Sequence, residues 1–192
     1  MPLPLRSLQP LLLLLLVATP ARAADLFHRP KVHLAVGLGA SFDRNPPNPT
    51  PDRPLTAFLF TLGVGDALLG LDLRSCATGA SQRQLSRLSG ELVGVVRPGV
   101  LLDRPGYGYR VLRTASVDLG AAIERVSVSL DSDWRKGLVL GAHVDLPIGP
   151  PMGKELRVRL GVRRLIATQG EIAGVPARDT TLEVYGQAAF VF

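Results

Sequence analysis

The feature that most constrains this chain is alternation. In its last twelve residues (TLEVYGQAAFVF), Leu182, Val184, Gly186, Ala188, Phe190 and Phe192 are apolar or small. Between them stand Glu183, Tyr185, Gln187, Ala189 and Val191. Successive side chains of a strand point to opposite faces, so this segment has one apolar face and one more polar face. The same rhythm opens the chain's folded part. Val32, Leu34, Val36, Leu38, Ala40 and Phe42 alternate with His33, Ala35, Gly37, Gly39 and Ser41. A helical period does not produce six such repeats.

Six further segments continue the pattern. The second strand sets Phe58, Phe60, Leu62 and Val64 against Ala57, Leu59, Thr61 and Gly63, and turns at Gly65-Asp66. The third sets Leu69, Leu71 and Leu73 against Gly70, Asp72 and Arg74, and Ala77–Arg83 reads as a polar loop. Leu85–Val100 fits two templates. Leu88, Leu92 and Val96 have helical spacing, whereas Leu92, Gly94 and Val96 suit a strand with Glu91 and Arg97 on its other face. Two glycines and Pro98 weaken the helix, so it is read as the fourth strand, with 85–110 open among strand, helix and long connection. The fifth runs from about Val111 to Leu130. Its apolar set shifts phase from Val117, Leu119, Ala121 and Ile123 to Val126, Val128 and Leu130, which predicts a β-bulge at Glu124-Arg125. After a turn at Asp131–Trp134, the sixth alternates Leu138, Leu140, Ala142, Val144 and Leu146 with Gly137, Val139, Gly141, His143 and Asp145. The seventh sets Leu156, Val158, Leu160 and Val162 against Arg157, Arg159, Gly161 and Arg163. Proline-rich or polar stretches at Asp43–Pro54, Pro147–Gly153 and Ala167–Asp179 read as connections.

The N-terminus reads as a secretory signal peptide over residues 1–23. Arg6 is the positive flank, Leu11–Val17 the apolar stretch and Ala21-Arg22-Ala23 the cleavage site. Residues 24–30 form a polar leader and 31–192 one β domain. The 169 residues after the cut (192 − 23) suit a single domain of eight strands. No later run approaches the roughly 20 apolar residues of a spanning helix, so a membrane form has to be a closed barrel. Loss of Arg6 and Arg22 lowers the formal charge from +6 to +4. That excess lacks the aromatic-interleaved basic stripe of a nucleic-acid binder. Cys76 is the only cysteine and the three histidines are scattered, so neither a disulfide, a metal site nor a cofactor is expected.

The second face decides between a soluble sandwich and a barrel. It carries many Gly and Ala residues. Its ionisable groups are Asp72, Glu91, Asp118, Glu124, Asp145 and Glu183 with Arg74, Arg97, Arg157, Arg159 and Arg163, plus His143. All the bases are arginine, whose planar fork pairs with carboxylates in confined space, and none is lysine. A solvent-facing surface uses lysine freely. This face therefore reads as the lumen of a narrow, closed antiparallel barrel.

The terminal Phe, the strand rhythm and this lumen chemistry together resemble bacterial outer-membrane β-barrels. In architecture the match is to the eight-stranded OmpA/OmpX-like group, over residues 31–192. The resemblance implies an outer-membrane location, contact with outer-membrane lipid and insertion by the barrel-assembly machinery. Tyr185, Phe190 and Phe192 are then the C-terminal insertion signal. Both termini are expected in the periplasm, with Asp43–Pro54, Ala77–Arg87, Asp131–Trp134 and Ala167–Asp179 outside. Phe42, Phe58, Phe60, Trp134, Tyr185, Phe190 and Phe192 are candidates for the interfacial aromatic girdles. The function expected is a structural or interaction role, with envelope proteins as possible partners. The alternatives are a lipid A-modifying enzyme, a transporter or narrow pore for a small ligand, and a soluble periplasmic β-sandwich binding protein. The enzyme alternative is weak, because His143-x-Asp145 faces inward and no H-x-S motif occurs; no catalytic residues are assigned.

Overall fold

The structure is a computed structural model. It describes residues 30–43, 54–80, 85–101, 107–128, 131–148, 155–172, 175–176 and 180–192. The barrel strands are β1 (Lys31–Asp43), β2 (Leu55–Gly65), β3 (Leu69–Ala80), β4 (Leu85–Val96), β5 (Ser116–Val128), β6 (Asp131–Ile148) and β7 (Glu155–Gln169). Two short strands, β8 (Glu171–Ile172) and β9 (Val175–Pro176), form a small ribbon before the last barrel strand, β10 (Thr180–Val191). Pairing runs β1-β10-β7-β6-β5-β4-β3-β2 and closes on itself, antiparallel throughout. Closure is what eight alternating segments need, because it leaves no strand edge with unpaired backbone groups. It also replaces the sandwich alternative.

β1 and β10 close the barrel in an eleven-residue register from His33↔Val191 to Asp43↔Thr181. The Phe192 amide adds a final hydrogen bond to the Val32 carbonyl at 2.8 Å. Lys31, Gly65, Leu69, Val96, Ser116, Ile148, Glu155 and Val191 therefore mark one end of the barrel, the terminal end. At this end the β2–β3 turn is held by Asp66, whose Oδ1 accepts from the Leu68 and Leu69 amides at 2.8 and 2.7 Å.

The ambiguous segment resolves into three parts. Leu85–Val96 is strand, Pro98–Leu101 is a 3-10 turn, and Tyr107–Thr114 is an α-helix, α1. The fifth strand thus begins at Ser116 and not near Val111. Gly99 is buried against the Leu112 carbonyl, where any Cβ would collide. The helix is tied to the barrel by Thr114, whose Oγ1 lies 2.6 Å from the Asp145 carbonyl oxygen and accepts the Asp145 amide at 3.2 Å.

Several strands extend into stretches whose polarity reads as loop. β3 reaches Ala80 and β4 starts at Leu85, so Ala77–Arg87 is mostly strand. β6 starts at Asp131, so Asp131–Trp134 is strand and not turn, and β7 reaches Gln169 inside the expected Ala167–Asp179 loop. These ends lie beyond the apolar band, where polar residues are compatible with pairing. The same effect removes the expected bulge. β5 pairs in unbroken register with β4 and β6 through Glu124 and Arg125. Val126 is buried and Arg125 exposed, so the hydrophobic phase changes while the backbone does not. The register shift that does occur lies between β6 and β7, at Lys136-Gly137. Residues 44–53 and 149–154, the proline-rich connections, lie outside the described residues.

Burial is inverted relative to a protein that folds in water. The outward positions are large and apolar: Phe58 and Leu119 are both 61% exposed, and Leu38, Leu73, Leu92 and Val184 are likewise open. The buried side chains include Asp72 and Asp118, both at 0% exposure, and Arg159 at 1%. Charged residues are almost never fully buried unless paired, and a continuous apolar exterior marks a surface made for an apolar partner. No described helix is long and apolar enough to cross a membrane. Phe42, Phe58, Phe60, Trp134, Phe190 and Phe192 all face outward. Tyr185 does not belong with them: it is 4% exposed and points into the lumen.

Candidate functional site

Among the described residues, most of the ionisable side chains gather in the lumen. An eight-stranded barrel has room inside for side chains and little else. Six buried acids (Asp72, Glu91, Asp118, Glu124, Asp145, Glu183) meet five buried arginines (Arg74, Arg87, Arg135, Arg159, Arg163). That near balance lets the charges satisfy one another in a low-dielectric interior, where an unpaired one would cost several kcal/mol.

One network fills the terminal half. Arg74 bridges two carboxylates, donating from Nη2 to Asp72 Oδ2 at 2.8 Å and from Nη1 to Asp118 Oδ2 at 2.9 Å. Arg159 forks onto Asp145, at 2.8 Å to Oδ1 and 3.2 Å to Oδ2, and also reaches Asp72 at 3.3 Å. A histidine flanks each end: His33 Nε2 lies 3.0 Å from Asp72 Oδ1, and His143 Nδ1 lies 3.0 Å from Asp118 Oδ2. His143 therefore pairs across to β5 and not with Asp145 on its own strand. Arg157 binds Glu155 at the rim, where Lys31 also approaches Glu155 at 3.7 Å. Arg97 sits at the same rim, half-buried, donating to the Asp66 carbonyl at 3.2 Å.

A second network lies nearer the other end. Arg163 donates to both Glu91 and Glu183, and Ser89 Oγ adds a 3.0 Å bond to Glu91. Cys76 packs with Ala57, Leu59 and Tyr185, its Sγ 3.6 Å from Glu183 Oε1. Beyond it Arg135 pairs with Glu124, and Arg87 donates to Thr181 Oγ1 at 2.7 Å. An apolar cluster of Val93, Val95, Ala122 and Val139 fills one wall between the charged layers.

Small residues make these contacts geometrically possible. Gly63 of β2 lies in register between His33 of β1 and Asp72 of β3. A Cβ there would occupy the space in which His33 and Asp72 meet. Gly161 lies between His143 and Tyr185 in the same way, and the Tyr185 ring lies over it. Glycine in a strand commonly marks such a close approach.

All twelve lumen residues named from the sequence stand on the inward face or at its rim. The inward face also holds His33, Arg87 and Arg135. Arg87 is the last residue of the expected Ala77–Arg87 loop and Arg135 the first after the expected Asp131–Trp134 turn, and the signal that finds them is the alternation itself. Odd-numbered positions face inward along β4 (Arg87, Ser89, Glu91) and β6 (Arg135, Gly137, Val139). Among the described residues, no group of His, Cys, Asp and Glu is arranged to hold a metal ion.

This barrel is similar to that of Neisserial surface protein A (NspA). The two superpose with a TM-score of 0.52 over 83% of this chain and 95% of the NspA chain. Their sequences are 12% identical, so the likeness is one of fold. No protein-family model matches this sequence, and no curated protein matches it. NspA thus supports the closed eight-stranded architecture, and the chemistry of the lumen has to be read from this chain's own residues.

Proposed function

We propose that this chain is an outer-membrane β-barrel with a filled lumen, acting as a structural or interaction protein of the cell envelope through the connections at its two ends. The observation that carries this reading is the inverted burial: large apolar side chains outside, a paired Arg–carboxylate lattice inside. Lipid is the medium that suits the first, and the second closes the bore. The fold shared with a surface protein, NspA, supports the same reading. Residues 1–23 would direct export, and the terminal end, where β1 begins and β10 finishes, would face the periplasm. Phe190 and Phe192, on the outward face of the closing strand, would be the part the assembly machinery recognises; Tyr185 would act from inside, as lumen packing. Envelope proteins would then meet the far-end connections or the α1 segment.

The test is electrical. Refolded into a planar bilayer, the protein is expected to show no steady channel current. Arg74, Arg159 and Arg163 cross the bore on bonds to acids from other strands, and a solute path would have to break them. A sustained, sizeable single-channel conductance would overturn the filled-lumen reading and favour the narrow pore.

A further inference from the structure

The outward face holds a second feature that the lumen does not explain. On the described barrel strands, every outward-facing ionisable side chain is a cation: Arg125 on β5, Lys136 on β6 and Arg164 on β7. The three strands are consecutive neighbours. Random placement around eight strands would scatter them and mix their signs. Arg125 lies directly opposite Trp134 on β6, and Lys136 is the next outward residue along from Trp134. Trp134 is itself 62% exposed. Two cations thus flank one aromatic side chain at the far edge of the apolar band.

Below this cluster the wall is indented. A groove of about 760 Å³ runs across β3 to β7, bordered by Trp134 and Lys136. Its floor is made of small outward residues. Ser75 and Gly90 are opposite each other on β3 and β4, and Ala121 is diagonal to Gly90 on β5. A Cβ built on Gly90 meets nothing within 4 Å. Leu73, Leu88, Leu92 and Ile123 form its sides. The volume is that of a small-molecule site, and most of the lining is apolar, with Ser75, Lys136, Thr168 and Gln169 among its polar members.

We propose that this groove and its cationic edge form a binding site for one lipid whose phosphate head group carries net negative charge, in the leaflet nearest the far end. The acyl chain lies in the indentation over Gly90. The head-group phosphate is held by Arg125 and Lys136, with Trp134 at the level of the polar–apolar boundary. Long basic side chains can lay their stems on apolar surface while the charge stays at the head-group level, and tryptophan prefers that boundary. This site rests on the membrane reading above and deepens it.

Trp134 is the only tryptophan in the chain, so its fluorescence reports this site alone. The experiment reconstitutes the protein in phosphatidylcholine vesicles containing an equal fraction of either brominated phosphatidylglycerol or brominated phosphatidylcholine. Phosphatidylglycerol is expected to quench Trp134 at the lower mole fraction. The preference should fall about fivefold for each cation removed, in Lys136→Gln and in Arg125→Gln with Lys136→Gln. Gly90→Leu, whose side chain enters open space, should weaken quenching by both lipids. Free glycerol phosphate should leave the preference unchanged; if it abolishes it, the site binds phosphate and not lipid. Equal quenching by the two lipids in the wild type means ordinary surrounding lipid and overturns the site. Weak quenching by both lipids, with a dimer seen by native mass spectrometry, assigns the groove to a second copy and also overturns it. Each sample is checked for boiling-dependent gel migration. A barrel that passes this check while failing the lipid test leaves the membrane reading standing.

Discussion

Arg163→Met is expected to destabilise the barrel by about 3–5 kcal/mol, the cost of removing one partner from a buried charge group. Arg163 is 4% exposed and is the cation to which both Glu91 and Glu183 bind. Methionine keeps much of the volume but leaves two carboxylates side by side in a bore with little water. Around them are Ser89, which gives one hydrogen bond, and the weakly donating Cys76. The measurement is denaturant unfolding in micelles or vesicles, followed by gel mobility or circular dichroism. The triple variant Arg163→Met, Glu91→Gln, Glu183→Gln should recover the greater part of the loss, because it removes the stranded charges along with the cation. A loss below about 1 kcal/mol for the single variant would mean that water reaches these acids and that the lumen is not sealed at this level.

The second large effect concerns the outside. Leu119→Arg is expected to cost about 2–4 kcal/mol in a bilayer, the penalty for a cation near the midplane of a transmembrane barrel. Leu119 is 61% exposed and touches no lumen network, so in water the same change would be close to neutral. Arg125→Leu is the matched control. It removes a cation from the edge of the same face of β5 and should change stability little. The pair therefore reports the medium around the barrel directly: a large cost at 119 with a small one at 125 means lipid, whereas two small effects mean solvent.

How much of this was legible in the chain depends on the layer. The strands of the apolar band could be read from alternation alone, because one face meets an apolar medium and the other a polar lumen. That Asp72 and Arg74, and Glu183 and Arg163, share the lumen face follows from the same parity. The failures have one physical origin. Outside the band both faces are polar, so parity loses its contrast. Arg87 and Arg135 were hidden by that loss, and Val126 mimicked a bulge. Specific partners were out of reach for another reason. That His143 meets Asp118 and not Asp145 depends on which strands adjoin and on their register. The helix Tyr107–Thr114 was masked by the glycines and prolines around it, and it is held by a tertiary contact from Thr114 to β6. The groove over Gly90 needs five strands in place before it exists.

The central claim is that this chain folds as a closed barrel in the outer membrane. The most direct measurement separates envelope fractions of expressing cells and runs each on a gel with and without boiling. The account predicts the protein in the outer-membrane fraction, with a folded band that shifts in mobility only on boiling. Recovery as a soluble periplasmic monomer whose migration ignores boiling would contradict it.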